Sequence, residues 1–195
     1  IQKRLVAKAK KSRIPVIIAT QMMESMMESV TPSRAEVNDV ANSVMDGADA
    51  VMLSGETSIG KFPIEVIKSM SSIINKVENS NLISLANKRP KDQKSKRYIT
   101  KSICFSAAKM ANDIKAKAIS TLTNSGYTAF QISSWRPTTH VLVFTSNKRI
   151  LTQLNLLWGV KAFFYDGFES TDNTVEEINK IAMENKYLQK GDKVI

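Results

Sequence analysis

A chain of 195 residues with 43% hydrophobic and 24% charged side chains has the size of one or two domains and the composition of a globular protein with a buried core. Its formal charge of +10 raises nucleic acid and anionic membrane surfaces as partners, yet neither is expected. The basic residues concentrate at 3–13 and 88–101, where Tyr98 is the one aromatic, and no zinc-finger, RNP or helix-turn-helix pattern occurs. No apolar run approaches the ~20 residues of a membrane span, and no leader pattern is present. A single cysteine, Cys104, excludes an intrachain disulfide and fits a reducing compartment.

In chain order, Leu5, Ala7 and Ala9 among lysines and arginines predict an opening helix. Pro15 to Ala19 is an unbroken, β-branched apolar run, the pattern of a strand buried on both faces of a parallel sheet, and Thr20 closes it. Met22, Met23, Met26 and Met27 have the spacing of packing residues rather than of a ligand set. Residues 33 to 47 predict a helix whose stripe is Val37, Val40, Ala41 and Val44. Ser33 and Glu36 form a capping box behind Pro32, and Gly47 can take the left-handed conformation that stops the helix. Ala50 to Leu53 is a second short strand ending at Ser54. Pro63 opens a helix with Ile67, Met70, Ile74 and Val77 on one side. Paired parallel strands lie about 4.8 Å apart. Thr20 and Ser54 are therefore expected side by side, on the face where α/β barrels carry their active sites.

Lys88, Arg89, Lys91, Lys94, Lys96, Arg97 and Lys101 fill a stretch without apolar period, broken by Pro90, which is expected to be a solvated linker. The domain expectation is thus 1–87, a basic linker 88–98, and 99–195. Ile99, Ile103, Ala107 and Met110 predict a helix, in which Cys104 is expected to be a buried structural thiol. Strands follow at 118–122, 141–144 and 161–165, with another starting at Val194. Helices are expected through residue 134, at Ile150 to Leu157, and at Val175 to Met183 behind a cap at Asp172 or Asn173. His140, the only histidine, has no second His or Cys near it in sequence and is expected to be a turn residue rather than a metal ligand. This alternation implies a mostly parallel sheet with helices on its faces. Between a strand end and a helix start lies Thr123-Asn124-Ser125-Gly126-Tyr127-Thr128. On the residues alone it is either a capped turn, the commoner outcome for so short a motif, or a phosphate cradle of amides and hydroxyls.

The segments A-T-Q-M-M-E-S-M at 19–26, P-S-R-A-E at 32–36, N-D-V-A-N at 38–42 and D-G-A-D-A-V-M-L-S-G-E-T-S-I-G-K-F-P at 46–63 resemble pyruvate kinase, over the stretch that covers that enzyme's last two barrel strands. Met23 and Ser33 stand where the family usually has Leu and Thr. The likeness continues, more loosely, through an α/β region similar to the family's C-terminal domain. The resemblance implies the end of a (β/α)8 TIM-type barrel followed by an α/β C-terminal domain, and phosphoryl transfer from phosphoenolpyruvate to ADP, giving pyruvate and ATP in glycolysis.

It further implies Mg²⁺ and K⁺, with ligands outside this chain, a cytoplasmic enzyme, and a homo-oligomer, usually a tetramer. Thr20 matches the family's substrate-contacting threonine and is a candidate proton station at a helix N-terminus; Ser54 is a candidate for proton delivery or simply turns the chain. Arg34 and Glu36 are expected in capping and subunit contacts. The loop of Thr123, Asn124, Ser125, Gly126, Tyr127 and Thr128 matches the position where many family members hold a phosphate of a sugar-phosphate effector, although Asn124 and Tyr127 occupy variable positions that often carry a base. Both chain ends are expected to be cut, and the chain alone to be inactive, because the family's catalytic lysine and metal ligands would lie upstream of Ile1. A phosphorylated-metabolite-binding regulatory module without catalysis is the alternative.

Overall fold

The computed structural model describes residues 1–80, 83, 89–167 and 170–195. The chain divides into two compact units, Ile1–Ser84 and Leu85–Ile195. Lys88, assigned above to the basic linker, and the expected boundary at 87–88 lie outside the described residues.

In the first unit, helix α1 (Gln2–Ser12) ends at Arg13, whose left-handed backbone turns its N–H back to the carbonyls of Ala9 and Lys10. Strand β1 (Ile17–Ile18), a 3₁₀ turn (Glu24–Met27), α2 (Arg34–Asp46), β2 (Ala50–Val51), the one-turn α3 (Gly55–Ser58) and α4 (Pro63–Glu78) follow. The two strands pair in parallel, Ile17 opposite Ala50 and Ile18 opposite Val51. Both are shorter than their apolar runs. The expected burial on both faces also fails at Ile17, which is exposed while Ile18 is buried. Successive side chains of a strand point to opposite faces: Ile18 points into the core of this unit, and Ile17, on the other face, joins no buried cluster among the described residues.

Helix α2 has the ends its sequence encodes. The Ser33 side chain accepts from the Glu36 N–H, the Glu36 side chain accepts from the Ser33 N–H, and Gly47 closes the helix at φ 90°. A Cβ on Gly47 would meet only the movable end of the Lys10 side chain, so it is the left-handed dihedral that favours glycine here. Val40 faces inward to join Val6, Ile18, Met22, Met23, Met26, Ala48, Val66 and Met70 in a core, and Val44 is buried as well. Three of the four clustered methionines thus fill space. On α4, Val66, Met70 and Val77 are the buried residues, while Ile67, expected inward, is exposed.

The second unit contains α5 (Tyr98–Asp113), β3 (Ala118–Leu122), α6 (Tyr127–Ser134), β4 (His140–Thr145), α7 (Lys148–Leu154), β5 (Val160–Phe164) and α8 (Thr171–Glu184). The sheet runs β3-β4-β5, all parallel, and Val194 bridges in parallel to Ala118 on the free side of β3. Side chains alternate across it. Ile119, Val141 and Val143 pack with residues of α5, α6 and α7, whereas Ala118, Leu142 and Phe144 pack with Ile178 and Ala182 of α8. Helices therefore cover both faces.

Three local expectations are corrected here. On α5 the predicted stripe points the wrong way: Ile99, Ile103 and Met110 are 73%, 63% and 50% exposed, and the inward residues are Cys104, Phe105, Ala108 and Ala111. Small Cys and Ala side chains let the helix lie close on the sheet, which the bulkier row would not. The cap of α8 is Ser170, whose side chain accepts from the Asn173 N–H, so Asp172 and Asn173 sit inside the first turn. His140 begins β4 instead of a turn and meets the Tyr187 ring edge-on, with centroids 5.5 Å apart. Cys104 is buried as expected, and burial pushes its thiol up to about 11. Since the thiolate is the nucleophile, Cys104 should resist iodoacetamide at pH 8 in the folded chain and react after denaturation. Rapid labelling of folded protein would contradict this packing.

Candidate functional site

The first cluster stands at the carboxyl ends of β1 and β2. Thr20 and Ser54, each just past its strand, are both exposed. Thr20 does not begin a helix, as expected above: the chain bends after it, and the next element is the 3₁₀ turn from Glu24. Two carboxylates that the sequence reading passed over as site residues hold this region. Glu56, 5% exposed, takes the Ser54 N–H on Oε2 at 2.8 Å and the Met23 N–H on Oε1 at a long 3.5 Å. One side chain thus spans the segments that follow the two strands. Farther along, the Lys61 N–H donates to the Met27 carbonyl at 2.9 Å, and Lys61 Nζ pairs with Glu28.

Glu36, 9% exposed, is more than a cap. Its Oε1 accepts the Ser25 N–H at 2.7 Å. Its Oε2 accepts the Ser33 N–H at 2.7 Å, the Ser33 hydroxyl at 2.8 Å and, by a short bond, the Ser25 hydroxyl. Burial pushes the Glu36 carboxyl upward, but the bonds from Ser25 and Ser33 together outweigh it and hold the group below its ordinary value. The signal for Glu36 was its capping-box spacing to Ser33; Glu56 had no such local signal, because the Met23 amide it meets lies in a distant segment.

The second cluster is the loop at the carboxyl end of β3. Thr123 Oγ1 accepts the Gly126 N–H at 3.0 Å, Ser125 Oγ accepts the Tyr127 N–H at 3.4 Å, and the hydroxyls of Thr121 and Thr128 are 3.2 Å apart. The Asn124 carbonyl accepts from Asn147 Nδ2 at 3.1 Å, which ties the loop to the start of α7. Gly126 has φ 76°, and a Cβ there would meet Ile150 at 3.0 Å and Phe130 at 3.2 Å. The geometry is that of a capped turn, so an anion entering it would have to replace Thr123 and Ser125 at two amides.

Its location nevertheless favours a ligand. β4 lies on one side of β3 and the segment at Val194 on the other, and open parallel sheets bind ligands outside the strand ends where the order reverses. A cation is also present. The Arg97 guanidinium lies 4.2 Å from the Tyr127 ring centroid, a contact that its place in a stretch without apolar period does not predict.

The barrel-domain model of pyruvate kinase matches residues 1–67, and the model of the pyruvate kinase alpha/beta domain matches residues 101–195. Pyruvate kinase 2 of Synechocystis sp. is 40% identical over all 195 residues, which make up 32% of its length. The pyruvate kinase of Mycobacterium tuberculosis is 37% identical over the whole chain, which covers 40% of that protein. Among solved structures, Cryptosporidium parvum pyruvate kinase is similar with a TM-score of 0.87 and 33% identity, covering 100% of this chain and 40% of that one. The same enzyme in complex with ADP is similar with a TM-score of 0.85, over 99% of this chain and 39% of that one. The chain thus spans between about a third and two fifths of the length of these relatives. Two parallel strand ends tied by Glu56, followed by an α/β domain with a parallel sheet, match that architecture, and the chain belongs to the pyruvate kinase family, over the last part of its barrel domain and its alpha/beta domain.

Proposed function

We propose that these residues form one wall of the active site of an enzyme that transfers phosphoryl from phosphoenolpyruvate to ADP. The observation that carries the proposal is the parallel pairing of β1 with β2, which sets Thr20 and Ser54 on neighbouring strand ends within the stretch that matches the family's barrel domain. The Thr20 hydroxyl, exposed and without a hydrogen bond among the described residues, is free to donate to a substrate carboxylate and to hold the proton that reaches the enolate carbon. Ser54 supplies a second hydroxyl nearby.

Mg²⁺ and K⁺ belong to the reading, but the described residues do not fit as their cage. No three His, Cys, Asp or Glu side chains gather among them, and the oxygens of Glu36 and Glu56 are taken by N–H and O–H donors. When bound, such ions supply positive charge to the transferring phosphoryl group. ADP as acceptor is supported by the similar enzyme solved in complex with ADP. A cytoplasmic homo-oligomer, with a tetramer as the expected form, completes the reading; no helix among the described residues is long and apolar enough to cross a membrane. The basic stretch 88–98 is proposed as the linker between the two parts, ending where α5 begins at Tyr98. A full-length protein carrying this chain should form pyruvate from phosphoenolpyruvate and ADP; a folded full-length protein without turnover would overturn the proposal.

The loop of Thr123, Asn124, Ser125, Gly126, Tyr127 and Thr128 is proposed to hold a phosphate of a sugar-phosphate effector, supported by its position at the strand-order reversal and by Arg97 above Tyr127. A sugar bisphosphate should raise the melting temperature of the chain, and Ser125→Ala should abolish the shift. An identical shift in the variant would remove Ser125 from this site.

A further inference from the structure

We propose that Glu56 is a positioning residue that locks the Thr20 and Ser54 segments to one another, an inference that rests on the phosphoryl-transfer reading. Regular pairing between β1 and β2 covers two residues in each strand and is extended by the Met52 N–H to the Ile18 carbonyl. The ladder therefore ends before either hydroxyl is reached, and something else must fix the segments beyond it. Glu56 is placed to do so. Its carboxylate is buried, it pairs with no cation among the described residues, and its two oxygens take amides 31 residues apart, Met23 and Ser54.

A carboxylate buried without a counter-ion is costly unless its lone pairs are filled by well-placed donors. A role confined to capping the one-turn α3 would need only the local bond to Ser54. The long contact to Met23, at 3.5 Å, exceeds that role and reaches the segment three residues after Thr20. The far ends of the two segments are joined separately, by Lys61 N–H to the Met27 carbonyl and by Gly60, where a Cβ would come within 3.3 Å of Met27 Cα. Glu56 thus closes the end nearest the proposed chemistry. A shift there of about 1 Å is enough to cost ~10²-fold in rate.

Glu56→Gln keeps the volume and one acceptor but turns an NH₂ toward one of the two amides, so the segments part. The test is a double-mutant cycle in the full-length protein, with kcat and KM for phosphoenolpyruvate measured for wild type, Glu56→Gln, Thr20→Ala and the double variant. Glu56→Gln should lower kcat about 10- to 100-fold with a smaller change in KM. In the Thr20→Ala background it should have almost no further effect, because a group that acts through Thr20 has nothing left to position. An unchanged kcat, or an equal loss in both backgrounds, would overturn the proposal.

If the Gln variant does not fold, Glu56→Asp, which keeps the charge but is a methylene too short to span both amides, should give the same kcat loss; full activity in that variant would count against the role. If wild type itself is folded but makes no pyruvate, the activity reading has failed and hydrogen exchange judges the inference. Peptides containing Met23 and Ser54 should then exchange faster together in Glu56→Gln, and unchanged protection would overturn it.

Discussion

Thr20→Ala in a full-length enzyme containing this chain lowers kcat by about 10²- to 10⁴-fold, the range over which one positioned proton-transfer group acts, and leaves the circular dichroism spectrum as it was. The structural half of this expectation follows from exposure. Thr20 is at the surface, outside the β1–β2 ladder, and its hydroxyl makes no hydrogen bond among the described residues, so its removal creates no cavity and leaves no donor unpaired. The kinetic half follows from its place at the strand end. If the hydroxyl acts in the transition state, kcat and kcat/KM fall together; if it only anchors the substrate carboxylate, KM rises while kcat holds. Wild-type kinetics would remove Thr20 from the site. Ser54→Ala, at the neighbouring strand end, should have the smaller effect.

Glu36→Ala destabilises the first unit by about 2–4 kcal/mol, because it removes the acceptor of two backbone N–H groups and two hydroxyls at once. Urea unfolding followed by circular dichroism is the measurement. Both tryptophans, Trp135 and Trp158, belong to the second unit, so their fluorescence would miss the event. The pH dependence has a definite sign. The folded carboxyl is held below its ordinary 4.5, so its contribution is full above that value and is lost as the pH falls through the lower folded value. Glu36→Gln should therefore be less stable than wild type at neutral pH and lose less on acidification. A variant with wild-type midpoints at both pH values would contradict the clamp.

What could be read from sequence was what depends on neighbours along the chain. The capping box of Ser33 and Glu36, the stop at Gly47, Pro63 at the start of α4 and the strand Ala118–Leu122 all have local causes, and the structure has them where the residues place them. What failed depends on partners far away in the chain. The apolar face of α5 could not be chosen by period alone, because Ile99, Ile103 and Met110 form as regular a row as Cys104, Ala108 and Ala111; the packing of Cys104 and Ala111 with β3 and β4, and of Ala108 with Phe105 and Trp135, decides in favour of the smaller side chains. Ile17 looked buried because a β-branched run suits a covered strand, yet cover needs elements that no residue of the run specifies. In the proposed site, Thr20, Ser54 and the Thr123–Thr128 loop are candidates that resemblance and strand-end position single out. Glu56 and Arg97 were not legible in this way, since the Met23 amide and the Tyr127 ring they meet come from other segments.

The most direct test of the central claim is pyruvate formation from phosphoenolpyruvate and ADP with Mg²⁺ and K⁺, measured on the 195-residue chain beside a full-length protein that carries it, each shown to be folded by circular dichroism. Turnover by the full-length protein alone is the expected result, with this chain supplying one wall of the site. Turnover by the 195 residues alone, or none by the folded full-length protein, would contradict it.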